Sequence, residues 1–190
     1  MGKDKLTGDD VVLEPLSLSH KAALYLHLKS CQRPLWFSCM PENTDFDTWF
    51  AQSLSHDAQL LAYHWVVRSR HQGDILGCVA ISRWDHHNLR ARLALDWLAV
   101  GADYEIAQQA CVLLIQDAFE RFNAMVVEFA CLWHNQQVRA LAVGIGAHQD
   151  GVLRNHQILA DGTVHDQVVY SILDSEWPTL VQKYQQHRLA

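Results

Sequence analysis

The stretch from Tyr104 to Asn123 constrains the chain more than any other. Glu105, Gln109, Gln116 and Glu120 form one narrow polar stripe. Ile106, Ala107, Ala110, Cys111, Leu113, Leu114, Ala118, Phe119 and Phe122 cover the remaining surface. So wide an apolar surface at helical period predicts a helix laid across a sheet, not one at the periphery. The flanks agree. Residues 90–100 read as a strand with Leu93, Leu95 and Trp97 on one face and Arg92, Ala94 and Asp96 on the other, and residues 125–132 as a short buried strand.

The rest of the chain supplies the other elements. Residues 11–17 read as a first strand, followed by a helix over about 19–30 with Ser19 as a plausible N-cap. An irregular aromatic segment, 31–44, precedes a helix capped by Asp45 or Asp47 and running to about Leu54. Residues 60–70 and 75–84 are strands joined at His71-Gln72-Gly73-Asp74, and Asp85-His86-His87-Asn88 turns into the strand at 90. After residue 132 come a helix over 136–143 ending at Gly144 or Gly146, strands over about 151–159 and 164–173, and a last helix opened by Pro178. The order β-α-α-β-β-β-α-β-α-β-β-α is mixed α/β, which disfavours a doubly wound dinucleotide fold. Gly144-x-Gly146 follows a helix instead of opening one, so it reads as a C-cap and not a nucleotide loop.

With 190 residues and 49% hydrophobic content, the expectation is one domain, 1–190, with a substantial core and a flexible stretch at 1–10. A formal charge of −6 argues against a nucleic-acid partner, and no apolar run approaches the roughly 20 residues that span a bilayer. Five cysteines without a CxxC pair suggest free thiols and a cytoplasmic protein. The twelve histidines lack metal-ligand spacing, so no metal is expected. Ser171 lies in no nucleophile elbow.

Several segments together resemble a known family. They are Val11-Val12-Leu13-Glu14-Pro15-Leu16, Asn135-Gln136-Gln137-Val138-Arg139-Ala140-Leu141, Gly146-Ala147, Gly151-Val152-Leu153-Arg154, Asp161-Gly162, and Val169-Tyr170-Ser171-Ile172-Leu173 with Glu176-Trp177-Pro178. They resemble the GNAT N-acetyltransferases of the ribosomal-protein N-acetyltransferase-like subgroup over almost the whole chain. The resemblance implies the GNAT fold: a mixed central sheet of about seven strands, splayed between the fourth (90–100) and fifth (125–133), with flanking helices. It also implies acetyl-CoA as a substrate, an amine acceptor (a protein N-terminus or a small amine), and a monomer or homodimer. The pantetheine arm would lie in the splay against backbone N–H groups near Leu98, Ala99 and Val100, which would serve as oxyanion donors. The pyrophosphate would rest on Gly101, Ala102, Asp103, Tyr104, Glu105 and Ile106, where helix N–H groups favour an anion. Asn135 is carried over as a further cofactor contact.

Some positions depart from the family pattern. Gly101 stands without the usual glycine pair, Val138 replaces a serine that would protonate the leaving thiolate, and Arg92-Leu93-Ala94 replaces Glu-Ile-Gly. Asp103 and Glu105 either cap the helix or stand beside the pyrophosphate. Asp96 and Glu128 are the carboxylates expected near the cleft, and so the candidate bases; Tyr104 is expected to pack. Trp36, Phe37, Trp49 and Phe50 either shape an acceptor pocket or pack as core. Two functional expectations therefore stand: an acetyltransferase working by direct attack, and a catalytically degenerate relative that binds acyl-CoA or a protein partner.

Overall fold

The computed structural model describes residues 3–31, 45–99, 103–159 and 161–189. Its strands are β1 (Leu6–Thr7), β2 (Val11–Pro15), β3 (Tyr63–Ser69), β4 (Ile75–Asp85), β5 (Arg90–Ala94), β6 (Val126–Leu132), β7 (His148–Ile158) and β8 (Val164–Leu173). They form one eight-stranded sheet in the order β1-β2-β3-β4-β5-β6-β8-β7. The strands are antiparallel to their neighbours except for β5 and β6, which run parallel. The helices are α1 (Lys21–Ser30), α2 (Phe46–Ala58), α3 (Asp96–Ala99), α4 (Tyr104–Glu120), α5 (Gln136–Ile145) and α6 (Trp177–Leu189).

The core has two parts, one on each face of the sheet. On one face α4, α5 and α6 pack over Leu13, Trp65, Val79, Leu93, Val127 and Phe129. On the other, α1 and α2 enclose Leu24, Phe46, Phe50, Val66 and Cys78. The wide apolar surface of α4 is used as predicted: Ala110, Cys111, Leu114, Ile115 and Ala118 have no exposed surface. Burying a Leu or Ile side chain contributes roughly 1.5–3 kcal/mol. Gln109 leaves the polar stripe and is buried, because its Oε1 accepts the backbone N–H groups of Asp10 (2.8 Å) and Val11 (2.9 Å).

Three expectations are corrected. The sheet has eight strands, because Leu6–Thr7 pairs with β2. The carbonyl of Asp4 also accepts from the Trp65 indole at 3.1 Å. The fourth predicted strand stops at Ala94, and Asp96–Ala99 folds into a helical turn. The physical reason lies in three adjacent large apolar groups. In a turn, Leu95 and Leu98 come to the same side, three residues apart, and both bury in the α4-side core. Trp97 then points the other way and joins the α1–α2 cluster, so it does not share a face with Leu93 and Leu95.

Gly77 makes this turn possible. Its φ is +147°, and a Cβ there would stand 3.1 Å from the Trp97 carbonyl oxygen and 3.3 Å from Leu98 Cα.

Candidate active site

The parallel strands part at a defined point. β5 and β6 pair from Arg90↔Val126 to Leu93↔Phe129. Beyond that, β5 turns into α3, whereas β6 continues to Leu132 bonded to β8. The β5–β6 ladder thus ends at Phe129, and a gap opens beyond it. It is the splay expected from the sequence, but its β5 wall differs. The Leu98 N–H donates to the Leu95 carbonyl at 2.9 Å inside the turn and is not a free oxyanion donor. Ala99 closes that turn, and its side chain lies outside those described, as does the carboxylate of Asp96. Val100, Gly101 and Ala102, like Trp36 and Phe37, lie outside the described residues.

On the α4 face, the helix following the gap begins with Asp103 in the N-cap position. Its carbonyl accepts from the Ala107 N–H at 3.0 Å, but its carboxylate makes no capping hydrogen bond. The Asp103 and Glu105 side chains are exposed, and the first-turn N–H groups of Tyr104, Glu105 and Ile106 have no partner within the helix. Ile106 packs against the core. Tyr104 is 48% exposed, but its hydroxyl end lies against Gly144, where a Cβ would collide with it. Partial burial pushes the Tyr104 phenol above its ordinary value. A cavity of about 590 Å³ lies between the starts of α4 and α6 and the end of α5, with Gln108, Gly146 and Lys183 on its walls.

Asn135 is 1% exposed and caps α5, its Oδ1 accepting the Val138 N–H at 3.1 Å. Val138 is itself buried in the core, so no proton donor stands there.

Glu128 sits at the closed end of the gap. Arg90 Nε donates to its Oε1 at 3.1 Å, its Nη2 binds the same oxygen, and Arg92 Nη2 lies 3.6 Å from Oε2. Glu128 thus has both oxygens facing guanidinium groups. It ties the two strands together where they begin to part.

On the α1–α2 face a second cavity, of about 310 Å³, opens over the gap. Its floor is small: Ala80, Ala94 and Ala130 lie on three adjacent strands. Trp49 and Trp97 wall it, with ring centroids 4.9 Å apart. Trp49 thus faces the cavity, whereas Phe50 is core. Three buried polar atoms on residues lining this cavity have no protein partner: Arg92 Nε, Trp97 Nε1 and Gln167 Oε1. Each such group costs roughly 1–3 kcal/mol if left unpaired. Two of these atoms are donors and one is an acceptor. Cys78 also borders it, but burial pushes its thiol up to about 12, so it holds no thiolate at neutral pH.

His64 completes the wall, and its Nδ1 lies 3.1 Å from Asp57 Oδ1. None of His64, Asp57, Trp97 and Gln167 stands out in the sequence, since they come from α2, β3, α3 and β8.

Residues 10–148 match the family described as the acetyltransferase (GNAT) domain. A curated relative, “Putative ribosomal N-acetyltransferase YdaF” of Bacillus subtilis (strain 168), is 30% identical over 108 residues, covering 56% of this chain and 58% of that protein. The chain thus matches little more than half the length of that relative. Among solved structures, a GCN5-related N-acetyltransferase from Brucella melitensis superposes with a TM-score of 0.83 at 24% identity, covering 98% of this chain and 86% of the other. RimL, a ribosomal L7/L12 α-N-protein acetyltransferase in complex with coenzyme A, superposes with a TM-score of 0.77 at 15% identity, covering 90% and 98%. At such identities the superpositions establish the fold.

Proposed function

The chain belongs to the GNAT acetyltransferase family, and from that premise we propose that it transfers the acetyl group of acetyl-CoA to a primary amine by direct attack. Acetyl-CoA supplies an activated thioester carbonyl. The chain's residues fit it in two places. The gap that opens beyond the last β5–β6 pair, Leu93↔Phe129, can take a pantetheine arm, and the first-turn N–H groups of α4 can take the pyrophosphate.

One observation carries the acceptor half of the reading: the unpaired Arg92 Nε, Trp97 Nε1 and Gln167 Oε1 around a cavity that opens over the gap. An α-amino amide or a peptide N-terminus has the complementary chemistry. Its carbonyl accepts from the two donors, and an N–H reaches Gln167. The aromatic walls suit an apolar side chain. Position and alignment alone supply much of the rate in such a reaction, and a thiolate with a free-thiol pKa of about 8.5 leaves with little help. A thiol relay is disfavoured, because Cys78 is held protonated.

The second reading, a non-catalytic acyl-CoA binder, is favoured by the buried Val138 and by the two exposed carboxylates at the head of α4. Calorimetric titration with acetyl-CoA and desulfo-CoA, followed by thiol-release assays on a panel of α-amino amides and short peptides, separates the two. Binding with turnover is expected. Binding without turnover on the whole panel leaves the second reading, and no binding at millimolar cofactor removes both.

A further inference from the structure

The cavity on the α1–α2 face carries a group that the transfer reading has not used. His64 on β3 pairs with Ala80 on β4, and Ala80 with Ala94 on β5, so the three share one row across the sheet. With strands about 4.8 Å apart, Ala94 lies roughly 10 Å from His64. The two floor positions between His64 and the gap are alanines.

The ring is held from behind. Asp57 Oδ1 faces His64 Nδ1 at 3.1 Å and also accepts the His64 backbone N–H at 2.9 Å. The other Asp57 oxygen is bound by Lys3 Nζ, which also donates to the His64 carbonyl at 3.2 Å. The Asp57 side chain is 8% exposed. A carboxylate acceptor on Nδ1 selects the tautomer with its proton there, which leaves a lone pair on Nε2. Among the described residues Nε2 has no protein partner, and the edge of the His64 ring meets Trp49 on the cavity wall at an interplanar angle of 88°.

We propose that His64, oriented by Asp57 and Lys3, is the general base for the acceptor amine in this cavity; the assignment rests on the transfer reading above. The neutral amine nitrogen forms a bond to the thioester carbonyl carbon while the carbon–sulfur bond breaks. The proton it sheds moves to His64 Nε2 through a bridging water. The imidazolium returns that proton to the departing thiolate through solvent, so amine and acetyl-CoA give amide and CoA thiol with no net proton change. Asp57 is a positioning residue.

Charged and titratable groups face the ring from several elements. They are Asp57 on α2, Lys3 on the leading segment, Cys78 on β4 (neutral, with its thiol at about 12) and Arg92 on β5. Across the cavity, His27 stacks on Trp97, and burial lowers its pKa so that it stays neutral.

The test uses the full chain, with phenylalaninamide as reference acceptor within the amide panel. His64→Gln is expected to lower kcat about 10²–10⁴-fold. Its KM for the amide and its affinity for acetyl-CoA should stay close to wild type, and the acid limb of the pH–rate profile should vanish. Imidazole should restore part of the activity of His64→Ala. Asp57→Asn should lose less in kcat and shift that limb.

A His64→Gln enzyme within threefold of wild type and with the limb intact overturns the assignment while the transfer reading stands. A wild type that binds acetyl-CoA and acetylates no amine overturns both. Independently of turnover, ¹⁵N-histidine spectra of the wild type should show His64 protonated on Nδ1 in its neutral form. An Nε2–H tautomer refutes the geometry even if the variants fail to fold.

Discussion

Replacing Gly77 by alanine puts a methyl group against backbone that has nowhere to go. The three nearest atoms are the Trp97 carbonyl oxygen at 3.1 Å, Leu98 Cα at 3.3 Å and the Trp97 carbonyl carbon at 3.4 Å. No side chain can swing aside, so the α3 turn must lift from β4. The backbone itself, at φ +147°, is strained for any residue with a Cβ. A sparsely populated dihedral costs about 1–3 kcal/mol and overpacking about 1–3 kcal/mol. A partly relaxed sum of about 2–4 kcal/mol is therefore expected. In a chain this size that lowers Tm by about 4–16 °C. Urea unfolding followed by tryptophan fluorescence gives the free energy, with an unchanged m-value. Lifting α3 also moves Trp97 away from Trp49, so the amine KM should rise while acetyl-CoA affinity changes little. A Gly77→Ala chain within 0.5 kcal/mol of wild type, with an unaltered amine KM, would refute the close-approach argument for the turn.

Other perturbations read different parts of the molecule. Trp97→Phe removes the unpaired indole donor and keeps an aromatic ring; the amine KM should rise about 3–10-fold, the worth of one hydrogen bond, without a large loss of stability on urea unfolding. Asp103→Asn and Glu105→Gln should each tighten acetyl-CoA about threefold by calorimetry at low salt, since a unit charge about 7 Å from a phosphate costs about 0.6 kcal/mol in water. Glu14 is subject to a burial effect that would raise its pKa, but hydrogen bonds from Lys5 and Arg68 outweigh it, and the carboxyl lies below its ordinary value of 4.5. Its contribution is therefore present above pH 4.5 and lost as the pH falls through the lower, folded-state value. Glu14→Gln should thus be less stable than wild type at pH 7, with the gap in urea midpoints closing as the pH falls through the folded-state value below 4.5.

The helix α4 was legible because its apolar surface is too wide for anything but a buried crossover. The gap was legible only through resemblance to the family. The turn at Asp96–Ala99 was not, because Leu93, Leu95 and Trp97 alternate as a strand does, and only packing shows that Leu98 must bury beside Leu95. Gln109 looked like solvent-facing polarity because the two backbone donors it satisfies belong to a strand nearly a hundred residues earlier. His64 escaped for a related reason: its partner Asp57 ends a helix while His64 starts a strand, and no fixed spacing marks such a corner. The three unpaired polar atoms are defined only by what fails to surround them.

The sheet is also a partition. On one side lie the head of α4 and the cavity beside α5 and α6, and on the other the alanine-floored cavity under α2. Among the described residues the two cavities share no lining residue, and the arginine pair gripping Glu128 holds β5 to β6 below the point where the strands part. If acetyl-CoA and an amine take the two sides, each would leave the other's doorway clear.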